Sequence, residues 1–99
     1  MKIFYSGKFI KMLERVPKNI QELFFRQGKI LKEDWRDQRL HLKKLNAKPV
    51  TFSFRITRSY RVFFYFRKFD EITLYAIGHR ERYLSQNPKK ITFQKTLPR

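Results

Sequence analysis

The stretch VTFSFRITRSYRVFFYFRKFDEITLYAIGHRERY, residues 50 to 83, decides the fold. It holds three consecutive strand patterns. VTFSFRI alternates apolar and polar residues, YRVFFYF is dense in aromatic and β-branched side chains, and ITLYAIG repeats that character before His79 and Arg80. Short polar links join them, so the stretch predicts an antiparallel meander.

The register of the first hairpin follows from its side chains. Directly opposed residues share a face, and a slip of one residue sends every side chain to the other face. A three-residue loop, Thr57 to Ser59, pairs Ile56 with Tyr60, Phe54 with Val62, Phe52 with Phe64 and Val50 with Phe66. That face is apolar and is expected to be core. The other face sets Arg55 across from Arg61, Ser53 across from Phe63 and Thr51 across from Tyr65. Like charges directly opposed destabilise a sheet by up to about 1 kcal/mol, so an anion is expected between the arginines. A loop from Arg67 to Glu71 with Phe66 opposite Ile72 carries the register onward. It puts Tyr75 beside Phe63, Ile77 beside Arg61, and His79 just past the strand on the arginine side. Arg55, Arg61 and His79 are then expected to converge. The alternative is a solvated arginine face with His79 as a strand-end residue.

Upstream, Lys2 to Tyr5 is apolar enough for a strand of the same sheet, and Ser6 can cap a helix. Phe9, Met12, Leu13 and Val16 fall at helical spacing from Lys8 onward, and Pro17 stops that run. A second helix is predicted with Asn19 as cap and Ile20, Leu23, Phe24 and Ile30 or Leu31 along one side. Gly28 weakens it, so a bend or fraying is expected there. Met12 and the pair Phe24 and Phe25 are assigned to the core. Trp35 is expected to close the end of the core. His41, among leucines in LHLKKLNAKP, is taken as structural. Lys43, Lys44 and Lys48 form either a solvated basic loop or a rim that contacts phosphates.

These elements amount to an α+β domain, with two N-terminal helices packed on a small antiparallel sheet of about four strands. It covers residues 1 to 84. Residues 85 to 99 read as a basic tail, with a short strand at Ile91 to Phe93 only if something covers it. At 99 residues the chain supports one modest core.

The chain carries 24 Lys and Arg against 8 Asp and Glu, a net charge of +16. Residues 1 to 49 hold 13 basic and 5 acidic groups and residues 50 to 99 hold 11 and 3, so the field belongs to the whole body. Such a field attracts nucleic acid, an anionic membrane or an acidic protein. No apolar run is long enough for a bilayer and no signal peptide is visible, since Lys11, Glu14 and Arg15 break Phe9 to Val16. A cytoplasmic protein without membrane partners is expected. Cysteine is absent and the two histidines lie far apart without clustered carboxylates, so no metal or other cofactor is expected.

The helical pair ending near LKED, then LHLKKL, SFRITRSYRVFFYF and LYAIGHRERY, resembles the RelE/ParE superfamily of prokaryotic toxins of toxin-antitoxin systems. The likeness spans residues 9 to 83. It implies a compact fold of two helices against an antiparallel sheet, and an antitoxin partner. Members include ribonucleases that cut messenger RNA, often in the ribosome, and relatives that poison DNA gyrase. By this resemblance the basic groups of the central strands correspond to Arg55 or Arg58, the arginine of the YR pair to Arg61, and the pair ending the last strand to His79 and Arg80. The family's C-terminal tyrosine corresponds to Tyr83, which otherwise is a core or antitoxin-contacting residue. LNAKPVT lacks the glutamate base that some members carry before the central strands.

Cutting RNA without metal requires deprotonation of a 2′-hydroxyl, stabilisation of the phosphorane and a proton for the leaving 5′-oxygen. Arginine suits the second task, because its guanidinium is always charged and holds two phosphate oxygens. Histidine titrates near neutrality, which makes His79 the first candidate for proton transfer. Phe63 and Tyr65 on the same face are candidates to stack an unpaired base. The expected function is a metal-independent endoribonuclease toxin acting on messenger RNA at the ribosome. The alternatives are a gyrase-poisoning toxin and a non-catalytic RNA-binding or ribosome-binding module. An acidic antitoxin is expected to cover the arginine face. As a surface catalytic group, Arg61 is expected to be replaceable by alanine with loss of activity and little change in thermal midpoint.

Overall fold

The computed structural model describes residues 1–46 and 50–79. Strand β1 (Lys2–Tyr5) leads into helix α1 (Gly7–Arg15) and helix α2 (Lys18–Glu33). A 3-10 turn (Gln38–Leu40) precedes β2 (Lys43–Leu45), β3 (Thr51–Arg55), β4 (Tyr60–Lys68) and β5 (Glu71–His79). The sheet order is β1-β5-β4-β3-β2, antiparallel except for the parallel pair β1 and β5. The α+β class holds, with five strands rather than about four. The fifth strand is Lys43–Leu45, three residues that pair Lys43 with Ser53, Lys44 with Phe52 and Leu45 with Thr51. So short a run carries no alternation signal of its own, and only β3 as a neighbour makes it a strand.

Helix α1 begins where Ser6 Oγ accepts from the Phe9 backbone N–H at 3.0 Å, the cap expected from the sequence. It buries Phe9 fully, with Met12, Leu13 and Val16 packed at the core margin. Helix α2 starts one residue before the expected Asn19 cap, directly after Pro17. Proline's fixed φ favours that entry, and Gln21 Nε2 donates to the Val16 carbonyl at 3.1 Å across the junction. Helix α2 continues through Gly28 to Glu33 without a break. The expected fraying is absent because Phe24 and Leu31, on either side of the glycine, are both buried in the core.

The core lies between the helices and one face of the sheet. It joins Phe9, Ile20, Phe24 and Leu31 to Phe54, Val62, Phe64, Ile72, Leu74 and Ile77. Each such side chain contributes about 1.5 to 3 kcal/mol by leaving water. Trp35 closes one end as expected, edge-on to Phe66 and Phe52 at 4.9 and 5.4 Å between ring centres. Phe25 is the exception to the expected core, 59% exposed because it lies a full helical step from buried Phe24 and faces outward.

The first hairpin has the register argued from its side chains: Thr51 with Tyr65, Phe52 with Phe64, Ser53 with Phe63, Phe54 with Val62 and Arg55 with Arg61. The Thr57 hydroxyl accepts from the backbone N–H groups of Ser59 and Tyr60, both at 3.1 Å, and shapes the turn that carries Arg58. Val50 precedes β3 and is exposed rather than paired with Phe66.

The second hairpin departs from expectation. It turns more tightly, pairing Lys68 with Glu71, and keeps Phe66 opposite Ile72 and Phe64 opposite Leu74. The pairing then shifts between Phe63 and Phe64, so that Phe63 meets Ala76, Val62 meets Ile77 and Arg61 meets Gly78. Tyr75 is the extra residue of a β-bulge. Beyond it, the parity of every residue is reversed. His79 is the last residue of β5, opposite Tyr60, rather than past the strand on the arginine side.

Candidate active site

Arg55, Arg58, Arg61 and His79 all lie at one end of the sheet, where β3 turns into β4 and β5 finishes. The structure brings the four to the same end but not to the same face. Arg55 and Arg61 share the face away from the helices. His79 shares the helix-side face with Tyr60, the two rings 4.6 Å apart between centres. The bulge at Tyr75 is the cause.

Arg61 is not a surface cation. It is 2% exposed. Its Nε donates to Ser53 Oγ at 2.8 Å, and its Nη2 donates to the carbonyls of His41 at 2.6 Å and Ser53 at 3.1 Å. Ser53 is its diagonal neighbour on the same face of β3, two residues from Arg55. The His41 carbonyl arrives from the other side. His41 ends the 3-10 turn with φ 46° and ψ 52°, a left-handed conformation uncommon outside glycine. Buried Leu40 holds that turn against the core. Arg61 therefore ties the turn before β2 to β3 and β4. The facing-arginine problem is eased by turning one guanidinium inward onto neutral oxygens. His41 does act structurally, but through its backbone carbonyl, with its side chain exposed.

Arg55 is half-buried, and among the described residues its guanidinium has no hydrogen-bond or carboxylate partner. Its backbone is held. Gln27 Nε2 donates to the Arg55 carbonyl at 2.9 Å and to the Arg39 carbonyl at 3.3 Å, clamping α2 to the end of β3 and to the 3-10 turn. The sequence reading missed Gln27. Its signal was a polar residue at a core position, in step with Ile20, Phe24 and Leu31 on α2.

The candidate base-stacking pair separates. Phe63 is 1% exposed and does not present its ring to a base. Tyr65 is half-buried with its ring 5.7 Å from Tyr75, a ring on the same face. The lysines separate too. Register places Lys43 on the face of Ser53 and Arg61 and Lys44 on the face of Phe52, because neighbours along a strand point to opposite sides. Both are exposed. Arg58 is exposed at the hairpin turn. Lys48, Arg80, Tyr83 and the 85–99 tail, with its expected Ile91–Phe93 strand, lie outside the described residues.

One further cation sits close by. Asp37 accepts from Arg39 Nε at 3.0 Å, Arg39 Nη2 at 2.8 Å and the Arg39 backbone N–H at 2.9 Å. The side-chain bonds first, then the backbone bond, hold the Asp37 carboxyl down to about 2 from its usual 3.8, and raise Arg39.

No family model matches the sequence, nor does any curated protein. Solved structures do share the arrangement. The chain is similar to the archaeal RelE-RelB complex from Pyrococcus horikoshii OT3, with 20% identity over 82% of this chain and 96% of that one and a TM-score of 0.67. It is similar to the YoeB/ParE toxin from Agrobacterium tumefaciens at 14% identity, over 81% and 99% of the two chains, TM-score 0.68. YafQ from E. coli strain BL21(DE3) gives 11% identity over 84% and 97%, TM-score 0.68. The fold is RelE-like. Two helices over one face of the sheet, with the opposite face carrying the arginines, is thus the frame in which this RelE-like chain holds Arg55, Lys43 and Arg61. No helix among the described residues is long and apolar enough to cross a membrane.

Proposed function

We propose that this chain is the toxin of a toxin-antitoxin pair and cuts messenger RNA at the ribosome without a metal. The observation that carries the reading is Arg55: a cation without a partner among the described residues, backbone-clamped by Gln27, on a RelE-like sheet within a chain of net charge +16. Roles divide along the geometry. Arg55, aided by Lys43 and Arg58, receives the scissile and flanking phosphates. Arg61 positions, since it is buried with its Nε and Nη2 donating to Ser53 and His41. Arg80 supplies the second cation at the phosphorane and Tyr83 contacts the substrate, as the family resemblance implies. His79, exposed at the end of β5, transfers a proton around the strand end rather than from within the arginine face.

The test is to incubate the purified protein with translating ribosomes and map new messenger 5′ ends, with Arg55→Ala as control. Cleavage that disappears in the variant supports the reading. Intact messenger alongside DNA-gyrase-dependent DNA breaks would replace it with the gyrase-poisoning alternative, and binding without either activity with the RNA-binding module. The partner is an acidic antitoxin encoded beside this gene. Association is expected to be fast and to slow steeply with salt, because steering charges are screened over roughly 10 Å at 0.1 M ionic strength.

A further inference from the structure

The 3-10 turn between α2 and β2 passes round the end of the sheet that carries Arg55. On the helix side, Gln27 Nε2 donates to the Arg39 carbonyl at 3.3 Å and to the Arg55 carbonyl at 2.9 Å, so the two arginine backbones meet at one amide nitrogen. Two residues further on, the His41 carbonyl reaches Arg61 on the face away from the helices. Leu40, fully buried, fixes the chain between those two ties. The turn thereby sets Arg39 at the rim beside Arg55.

The Arg39 side chain is oriented as well as placed. Asp37 accepts from its Nε at 3.0 Å and from its Nη2 at 2.8 Å, which occupies one edge of the planar guanidinium. Nη1 and the second N–H of Nη2 have no acceptor among the described residues. The Arg39 side chain is 66% exposed, while that of Asp37 is 21% exposed. So open an ion pair contributes little to stability once water screens it. The turn does not need it either, because Asp37 caps the turn through the Arg39 backbone N–H at 2.9 Å. What remains is an arginine held in one orientation, with two parallel N–H groups at its outer edge. That edge matches two oxygens of a phosphate.

We infer that Arg39 binds a phosphate of single-stranded RNA adjoining the one at Arg55, and that Asp37 is the positioning residue that holds its guanidinium for this contact. The inference rests on the RNA half of the proposed function and adds a residue to its site. Asp37 removes one positive charge from the rim, and in return Arg39 has less side-chain freedom to lose on binding. RNA is favoured over a single carboxylate of a protein, because Arg55 and Arg58 stand at the same end of the sheet and a row of cations suits a row of phosphates.

Binding of a short fluorescent single-stranded RNA to the full chain is measured across a salt series. The proteins are the parent, Arg39→Gln, Asp37→Asn, the double variant, and Lys11→Gln as a control that removes one exposed cation from α1. Asparagine preserves the cap. Arg39→Gln is expected to weaken binding roughly tenfold and to lower the slope of log affinity against log salt by about one, with a midpoint within about 4 °C of the parent. Lys11→Gln is expected to change affinity much less. Asp37→Asn makes the chain more positive, so a general attraction to charge predicts tighter binding. The positioning role predicts binding weaker by about threefold or more, with no further loss when the change is added to Arg39→Gln. Equal effects of Arg39→Gln and Lys11→Gln, tighter binding by Asp37→Asn, or a parent that binds no RNA overturns the inference. Messenger ends in the ribosome assay report on the ribonuclease reading separately. A chain that cuts messenger without an Arg39 effect loses only this inference, and one that binds RNA through Arg39 but leaves messenger intact loses only the ribonuclease reading.

Discussion

Replacing Arg61 by alanine removes a buried guanidinium that three oxygens accept from, Ser53 Oγ, the Ser53 carbonyl and the His41 carbonyl. Hydrogen bonds to a charged group contribute about 1.5 to 3 kcal/mol each, but they share one side chain and are not additive. The Ser53 hydroxyl loses its donor in a buried setting and the His41 carbonyl loses its donor in a part-buried one. Against this, the variant no longer buries a charge. The net loss is about 2 to 4 kcal/mol, which for a domain near 100 residues lowers the thermal midpoint by roughly 10 to 30 °C. Arg61→Lys should fall between the two, because a compact ammonium cannot reach both Ser53 and His41 in the fork geometry of arginine. Thermal unfolding followed by circular dichroism at fixed salt measures all three proteins. A midpoint for Arg61→Ala within about 3 °C of the parent would refute the reasoning. Arg61 would then be the surface catalytic group that its sequence position suggests.

Arg55→Ala is expected to change the midpoint by no more than about 4 °C while abolishing cleavage, and to lower the slope of log affinity for RNA against log salt by about one, the signature of one lost phosphate contact; an unchanged slope would remove Arg55 from the interface. His79→Gln should slow single-turnover cleavage and remove one limb of the pH-rate profile, and a profile identical to the parent's would leave His79 as the ring partner of Tyr60. Asp37 should titrate near 2 by carbon-detected NMR, and Arg39→Gln should return it towards 3.8. Because the folded value is depressed, the stabilisation from this pair is full above about 3.8 and is lost as pH falls through about 2; titration of the parent near 3.8 would show the pair open in solution.

Much of this architecture was legible in the sequence. The first hairpin could be registered from side chains alone, since only one pairing of Thr51–Arg55 with Tyr60–Lys68 collects the apolar residues on one face. Ser6 as a cap, the apolar stripe of α1 and Trp35 at the end of the core were readable for similar reasons: each depends on neighbours within one helical turn or on the need to bury a large ring. The arginine face and its basic surroundings were also readable, because register and charge are both written in the chain.

What the chain could not disclose depends on partners distant in sequence. A bulge at Tyr75 leaves no mark, since Tyr75 and Ala76 both suit a strand, yet that one extra residue turns His79 to the opposite face. The parallel pairing of β1 with β5 joins residues about seventy positions apart. Whether Arg61 is catalytic cation or internal clamp is a matter of which oxygens surround it, and these come from Ser53, 8 residues away, and His41, 20 residues away. Sequence determined the face and the charge; only the folded chain, by bringing the His41 carbonyl over β4, decided which arginine is buried and which keeps its guanidinium without a hydrogen-bond partner among the described residues.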